Sequence, residues 1–403
     1  MKKALIITVG TGIGDDIEAT KSIAHAISTS VRAANPERIV FVVSEESLER
    51  TIPEVKAELG DYSDCEFILL KRIEDLNDVF SRVCSAIEKL KNQGYDVVVD
   101  FTSGTKAMSA GAALAAVSEA TRVSYVAGIR MGGRVAKGGE QVLTYTPVMG
   151  IARMQEKLAG ELFNLHQFAA SQRILESVEQ NVPDPELSAG IRELRTVIKG
   201  YHLWDMFRHE QAFEMLSKSK RVPSQNKEFL GRLCSAEDRA PFFVADLLNN
   251  AERRFEEGKY DDALARLYRT IELIAQHRLR SYGVNTSDVD LIRVPEEVRD
   301  KYERLRSEEG KVRLGLHKGY ELLFDLGDEL GEEFVSNRRL QDLLKRRNDS
   351  ILAHGLTPVD GEAVSQLRSM TLELAAKAVP QIDILMEKAR FPRFEHLVQH
   401  NLY

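Results

Sequence analysis

The sequence predicts an α/β domain followed by an all-α region. Short β-branched runs alternate with helical stretches up to about residue 150; from about Ile151 those runs stop, and helical segments punctuated by Gly, Pro and Asn continue. Glycine-bearing loops follow the first and fourth β-rich runs, where a parallel sheet would turn into a helix.

In chain order, strands are expected at 4–10, 38–44, 65–72, 96–101, 122–128 and 141–148, which are β-branched runs bounded by turn residues. Helices are expected at 15–34, 45–59, 75–91 and 105–119, where composition is helical and breakers are few. The connection 131–139 is too short and glycine-rich for a crossover helix, so the last two strands should form a hairpin at the sheet edge. In the helical half, Pro183 and Pro185 mark a connection, while Pro223 to Asn226 and Ala240-Pro241 mark a boundary. The charge-rich stretch 294–310 reads as mobile or peripheral. Two passages, one around Gly200-Tyr201-His202-Leu203-Trp204-Asp205 and one at Gly258-Lys259-Tyr260-Asp261-Asp262-Ala263-Leu264, are similar to the turns of tetratricopeptide hairpins. A repeat of about 34 residues is missing, so close helix packing at Gly and Ala is the better reading. The resulting division is 1–152, 153–243 and 244–403.

A length of 403 residues exceeds one ordinary core, and 43% hydrophobic with 29% charged residues is a soluble globular composition. No apolar run approaches the ~20 residues of a membrane helix, and the opening Met1 to Gly10 reaches glycine too early for a signal peptide. A cytoplasmic location without membrane partners is expected. Cys65, Cys84 and Cys234 show neither disulfide nor zinc spacing and read as packing residues. No convincing metal-ligand cluster appears, so no metal and no cofactor are expected. The net charge of −7 argues against coating nucleic acid through bulk electrostatics. Against that background Arg338, Arg339, Lys345, Arg346 and Arg347 stand out, although basic clusters are commonly solvated helix faces.

Two N-terminal loops could receive an anion. Gly10-Thr11-Gly12 follows the first strand and Thr102-Ser103-Gly104-Thr105-Lys106 the fourth. Glycines let backbone N–H groups approach a phosphate, the following helix offers its positive end, and Lys106 adds a full charge. Neither loop has the G-x-G-x-x-G or P-loop spacing, which disfavours NAD and ATP hydrolysis. The bland alternative is a pair of tight strand-to-helix turns. Asp15 and Asp16 are expected to cap the next helix.

Near the other end, Arg346-Arg347-Asn348-Asp349-Ser350-Ile351-Leu352-Ala353-His354-Gly355 puts an arginine, an amide and a histidine on an expected helix end. Arg347 and His354 are seven apart, nearly two turns, so both would leave a helix on one face. Arg346 would stand about 80° from His354 and reads as an RNA contact or a surface charge. The alternative for His354, just before Gly355, is a helix C-terminus stabilised through the dipole. Arg269 and Glu272 form either an orienting pair or an ordinary surface pair. His202, His209, His277 and His317 show no partner pattern.

Together these features resemble the CRISPR-associated ribonucleases of type III systems that join a CARF sensor to a HEPN nuclease. Val9-Gly10-Thr11-Gly12 and Asp100-Phe101-Thr102-Ser103-Gly104-Thr105-Lys106-Ala107-Met108 look like CARF loops. Arg347-Asn348 with Ala353-His354-Gly355 is similar to the HEPN R-x(4-6)-H motif, with six intervening residues at its long end. The resemblance implies a Rossmann-like, mostly parallel CARF domain, a helical middle region and a C-terminal HEPN domain. It further implies a homodimer that binds one cyclic oligoadenylate, tetra- or hexa-adenylate, across its two-fold axis and builds one composite ribonuclease site. Gly10, Thr11, Gly12, Thr102, Ser103, Gly104, Thr105 and Lys106 would bind the ring. Arg347, Asn348 and His354 would cut single-stranded RNA by 2′-OH attack, His354 moving the proton and Arg347 stabilising the phosphoryl charge. DNA, lacking that nucleophile, should resist. Two other outputs fit the same resemblance: a sensor whose helical half recruits a partner, and degradation of the ring by Thr11, Ser103 or Lys106.

Overall fold

The computed structural model describes residues 2–12, 17–60, 64–128, 130–131, 134–135, 139–351 and 355–398. It divides into two compact units, Met1–Met154 and Gln155–Tyr403.

The first unit runs β1 (Lys2–Thr8), α1 (Ile17–Ala34), β2 (Arg38–Val43), α2 (Glu45–Leu59), β3 (Cys65–Leu69), α3 (Leu76–Asn92), β4 (Tyr95–Asp100), α4 (Lys106–Ser118), β5 (Arg122–Ala127), β6 (Arg130–Met131), β7 (Arg134–Val135) and β8 (Gln141–Tyr145). The main sheet has the order β3-β2-β1-β4-β5-β8. Every neighbouring pair is parallel except β5 with β8, which pair antiparallel at the edge as the short connection requires. Period-2 alternation sorts the strands' side chains onto two buried faces. Ala4, Ile6, Val40, Val42, Val97 and Val99 pack with Val79, Val83, Ile87, Met108 and Ala112 from α3 and α4. Leu5, Ile7, Ile39, Phe41 and Val43 pack with Ala24, Ile27, Val31, Ile52 and Val55 from α1 and α2.

Strand edges differ from expectation at β1, which runs Lys2–Thr8 and not 4–10, at β3, which ends at Leu69 and not 72, and at β8, which ends at Tyr145 and not 148. Other edges differ where a hydroxyl or carboxylate caps the next helix. Ser44, expected to end a strand, is instead the N-cap of α2, and its hydroxyl accepts the Ser47 N–H at 3.0 Å while Ser47 Oγ accepts the Ser44 N–H at 2.9 Å. Asp75 and Thr105, expected as first residues of helices, cap α3 and α4. Asp15 and Asp16 lie outside the described residues.

The second unit continues with α5 (Val148–Asn164), which starts before the division, then α6 (Phe168–Asn181), α7 (Pro185–Asp205), α8 (His209–Leu216), α9 (Ser224–Ser235), α10 (Ala240–Glu256), α11 (Tyr260–Ser281), α12 (Arg299–Glu303), α13 (Leu316–Asp325), α14 (Glu329–Ser336), α15 (Arg338–Asn348), α16 (Gly361–Ala378) and α17 (Ile382–Ala389). Phe163, Tyr201, Trp204 and Phe229 are buried in an aromatic core joined by Phe391 and Phe394. α11 is a hub that packs against α10, α13, α15 and α16. The stretch 294–310, expected to be mobile or peripheral, carries short helical turns held down by fully buried Val294 and Tyr302, whose hydroxyl donates to Asp325 at 2.6 Å. Its charges lie outward while two apolar anchors fix it. Among the described residues no helix is long and apolar enough to cross a membrane.

Candidate functional site

In the first unit the strand order reverses between β1 and β4: β2 and β3 extend one way, β5 and β8 the other. Crevices beyond the carboxyl ends of strands open at such switch points. Both expected loops emerge there, side by side. A Cβ added to Gly10 would come 2.8 Å from the Gly104 nitrogen, so the backbones touch and neither side can carry bulk. Gly12 and Gly104 have φ of 94° and 105°, a region other residues rarely occupy.

Hydroxyls weld the loops together. Gly10 donates its N–H to Ser103 Oγ at 2.9 Å, and Thr8 Oγ1 donates to the Ser103 carbonyl. Thr51 of α2 and Thr20 of α1 donate to the carbonyls of Gly10 and Thr11 at 2.8 and 3.1 Å. Thr102 Oγ1 accepts the Val126 N–H at 2.9 Å, and Thr105 Oγ1 accepts the Met108 N–H while donating to Ile73. Thus the hydroxyls of Thr102, Ser103 and Thr105 already have protein partners. Thr11, Gly12, Gly104 and Lys106 retain solvent exposure beside them. Lys106 is the first residue of α4, whose opening turn contains no acid; α2, by contrast, opens with Glu45 and Glu46. A cation at a helix's positive end is locally unfavourable and becomes favourable when an anion arrives.

Beneath this loop lies Asp100, fully buried, which opens the loop motif in sequence but was given no role there. Its Oδ1 accepts the Thr102 N–H at 2.9 Å, and its Oδ2 accepts Ser30 and Ser124 hydroxyls at 2.8 Å each. Burial pushes its carboxyl above the usual aspartate range, and the hydrogen bonds from Thr102, Ser30 and Ser124 only partly counter this.

In the second unit Asn337 caps α15 by accepting the Leu340 N–H at 3.0 Å. The helix ends at Asn348, with Lys345, Arg346 and Arg347 in its last turn. It therefore stops short of His354, which lies outside the described residues. The expectation that Arg347 and His354 share one helical face is overturned, as is the angular argument about Arg346, because both need a helix that continues. What ends it is visible downstream. Gly355 donates to the Ser350 carbonyl at 3.1 Å, and a Cβ on Gly355 would sit 1.9 Å from the Asp349 carbonyl oxygen, so the chain folds back onto the helix end.

The two arginines have different surroundings. Arg346 is exposed, with Asp360 4.0 Å away. Arg347 places its guanidinium 4.6 Å from the ring centroid of Tyr268 on α11 and donates to Asn348 Oδ1 at 3.3 Å. Arg269 pairs with Glu272 at 2.7 Å and Gln276 at 3.1 Å on the exposed side of α11, the surface-pair alternative. No group of three His, Cys, Asp or Glu suited to a metal occurs among the described residues.

The sequence also hid a buried polar network linking α7, α8 and α10. Asp246 accepts Trp204 Nε1 at 2.8 Å and meets His209 Nε2 at 2.8 Å. Asp205 accepts Arg253 and Arg254 at 2.8 and 2.9 Å, and Arg253 lies 3.9 Å from the centroid of Phe391. Asp246, Asn250 and Arg253, at i, i+4 and i+7 on α10, were the available signal: a polar stripe at core spacing.

A doubly wound sheet with a switch-point crevice, followed by a helical unit bearing an Arg-Asn pair, defines the class of CARF–HEPN proteins. The Csm6 6H domain family matches residues 151–236 and the Csm6 HEPN domain family matches residues 233–377. These matches together span more than half of the sequence, and the chain belongs to the Csm6 family, one of the CARF–HEPN proteins its sequence resembles. Enterococcus italicus Csm6 bound to cyclic hexa-2′-fluoro-hexa-dAMP shares the fold with a TM-score of 0.58 at 13% identity, over 98% of this chain and 97% of that one. A type III CRISPR defence DNA nuclease activated by cyclic oligoadenylate overlaps 48% of this chain and 33% of its own length, at 17% identity and a TM-score of 0.26. No curated protein matches.

Proposed function

We propose that the protein is a cyclic oligoadenylate-activated endoribonuclease of type III CRISPR defence, cutting single-stranded RNA without a metal. The observation that carries the reading is Arg347, seated on Tyr268 beside Asn348 in a Csm6-type HEPN domain, with His354 seven positions on in sequence. A guanidinium fixed by a ring face keeps its N–H edge for a phosphate, whereas one paired with a carboxylate spends both edge and charge. Arg347 is therefore the catalytic arginine and Arg346 an RNA contact.

In this reading residues 1–152 sense the ligand, 153–243 form the helical linker and 244–403 the nuclease. Gly10, Thr11, Gly12 and Thr102 to Lys106 receive the ring, Thr11 and Lys106 directly, and the bonded hydroxyls of Thr102, Ser103 and Thr105 hold the loop's shape. The 2′-OH of RNA attacks the adjacent phosphate, giving a 2′,3′-cyclic phosphate and a 5′-hydroxyl. His354 transfers the proton, Arg347 balances charge on the phosphoryl oxygens, and Asn348 holds Arg347. One chain offers one such set, so a homodimer supplies two to a composite site and presents matched loops to a symmetric ring. The Enterococcus protein's cyclic ligand supports this class of activator.

The test is cleavage of fluorescent single-stranded RNA in EDTA, with no ligand, cyclic tetra-adenylate or cyclic hexa-adenylate, for wild type and for His354→Ala, Arg347→Ala and Arg346→Ala. Ligand-dependent cleavage abolished by the first two and only weakened by the third is expected. Absence of cleavage with ligand bound would leave a sensor with another output.

A further inference from the structure

We propose that Tyr268 is a positioning residue for the nuclease, its ring acting as the platform that aims the Arg347 guanidinium. The inference rests on the proposed function and extends it to a residue outside the sequence motif.

Three observations carry it. The Arg347 guanidinium lies 4.6 Å from the Tyr268 centroid, well inside cation–π range, and its donors find Asn348 Oδ1 at 3.3 Å. Tyr268 is rooted by its own helix: Leu267 and Ile271, its neighbours on α11, are essentially fully buried, and α11 packs directly against α15. The nearby charges are arranged so as not to capture Arg347. Glu272, the acid one turn along from Tyr268, is held by Arg269 at 2.7 Å, and Asp360 lies toward Arg346. Among the described residues no carboxylate forms an ion pair with Arg347.

A flexible arginine at a helix end has many rotamers, and only those that face the scissile phosphate help the transition state. A ring face restricts the guanidinium to a plane while leaving its edge to point outward. A carboxylate would restrict it more strongly but would neutralise the charge the reaction needs. Tyr268 is also kept as a neutral phenol, since burial raises its hydroxyl above the ordinary tyrosine range with Glu272 adding to the effect, while Arg347 opposes it. The geometry sets the ring face, and not the hydroxyl, against the guanidinium.

The experiment compares the full chain, activated by whichever of the two rings proves active, as wild type, Tyr268→Phe, Tyr268→Leu, Arg347→Lys and the double variant Tyr268→Leu/Arg347→Lys. Tyr268→Leu should lower kcat about tenfold with KM changed less than about twofold, the order a partly buried ring–guanidinium contact supplies. Tyr268→Phe should recover most of that loss, and Tyr268→Leu should cost little further in the Arg347→Lys background. The Arg347 Nε–H resonance should move downfield in Tyr268→Leu as the ring current disappears, a readout that needs no activity and no folding comparison beyond the remaining spectrum. Full kcat in Tyr268→Leu with Arg347→Ala inactive would overturn the platform while leaving the nuclease reading intact. Unchanged cleavage in both His354→Ala and Arg347→Ala would overturn the nuclease reading itself. An unshifted Arg347 resonance would refute the contact regardless of kinetics.

Discussion

Replacing Asp100 tests whether the crevice loop is held from below by one buried carboxylate. In Asp100→Ala the Ser30 and Ser124 hydroxyls and the Thr102 N–H lose their acceptor. The hydroxyls can rotate toward other partners, but the amide cannot, so the loss is about 3–5 kcal/mol for three buried groups left without a partner, with partial recovery. A unit of this size would melt roughly 10 °C lower. Asp100→Asn keeps an acceptor for Thr102, and its amide can donate to the rotated hydroxyls, so it should lie within about 1 kcal/mol of wild type. The pH dependence separates the two ideas of what Asp100 does. Because burial raises its carboxyl in the folded protein, the native state holds a proton that the unfolded chain releases. Stability from this group is complete below the ordinary aspartate range and is lost as pH rises toward Asp100's own raised value. Above that value it is flat. Calorimetry of the full chain from about pH 4 to 8 should therefore show wild type losing ground to Asp100→Asn across that window. A wild type and Asp100→Asn that keep a constant difference at every pH would refute the buried-carboxylate argument. An Asp100→Ala protein as stable as wild type would refute the hydrogen-bond accounting.

Other perturbations follow from single contacts. Gly355→Ala forces a methyl to 1.9 Å from the Asp349 carbonyl, so RNA cleavage should fall at least about tenfold while titration calorimetry shows ring binding unchanged. Asp205→Ala leaves buried Arg253 without its acid, while Arg254 keeps Glu257 at 2.9 Å, and should cost about 3–5 kcal/mol in urea unfolding of the helical unit; a loss under about 1 kcal/mol would show that water replaces it. Lys106→Ala should weaken ring binding about five- to tenfold and flatten its salt dependence, as expected when one phosphate-facing charge is removed.

Much of the first unit could be read directly from the chain because its rules are local. The predicted helix 45–59 matches α2 residue for residue, and the deviations at Ser44, Asp75 and Thr105 are one-residue shifts made by caps. The parallel strands were visible as unbroken apolar runs because both sheet faces are covered. The glycine loops were visible too, but not that Ser103's hydroxyl would be occupied by Gly10, since that bond spans 93 residues. At the nuclease end the HEPN domain was legible from the motif, but the helical phase given to Arg347 and His354 fails because α15 ends at Asn348. Nothing in Ser350-Ile351-Leu352-Ala353 forbids a helix by composition; the return of Gly355 onto Asp349 is a packing event. The partners of Trp204, Asp205 and His209 were not legible for a related reason. Polar residues on amphipathic helices read as solvated until the neighbouring helix supplies their partners.

The end of α15 has a consequence for how the nuclease motif can vary. Along a helix every residue added between an arginine and a histidine turns the second by 100° and carries it 1.5 Å onward, so only certain spacings would work. Here Ser350, inside that interval, and Gly355, just past it, are tied to each other by a 3.1 Å hydrogen bond. A closed loop tolerates a change of length at little entropic cost, because the closing contact and not the residue count fixes where the chain resumes. Shortening the interval by one or two residues should thus be survivable, provided the Ser350 and Gly355 equivalents still meet. A contact that joins Ser350 to Gly355 leaves the motif's spacing without a helical phase to keep.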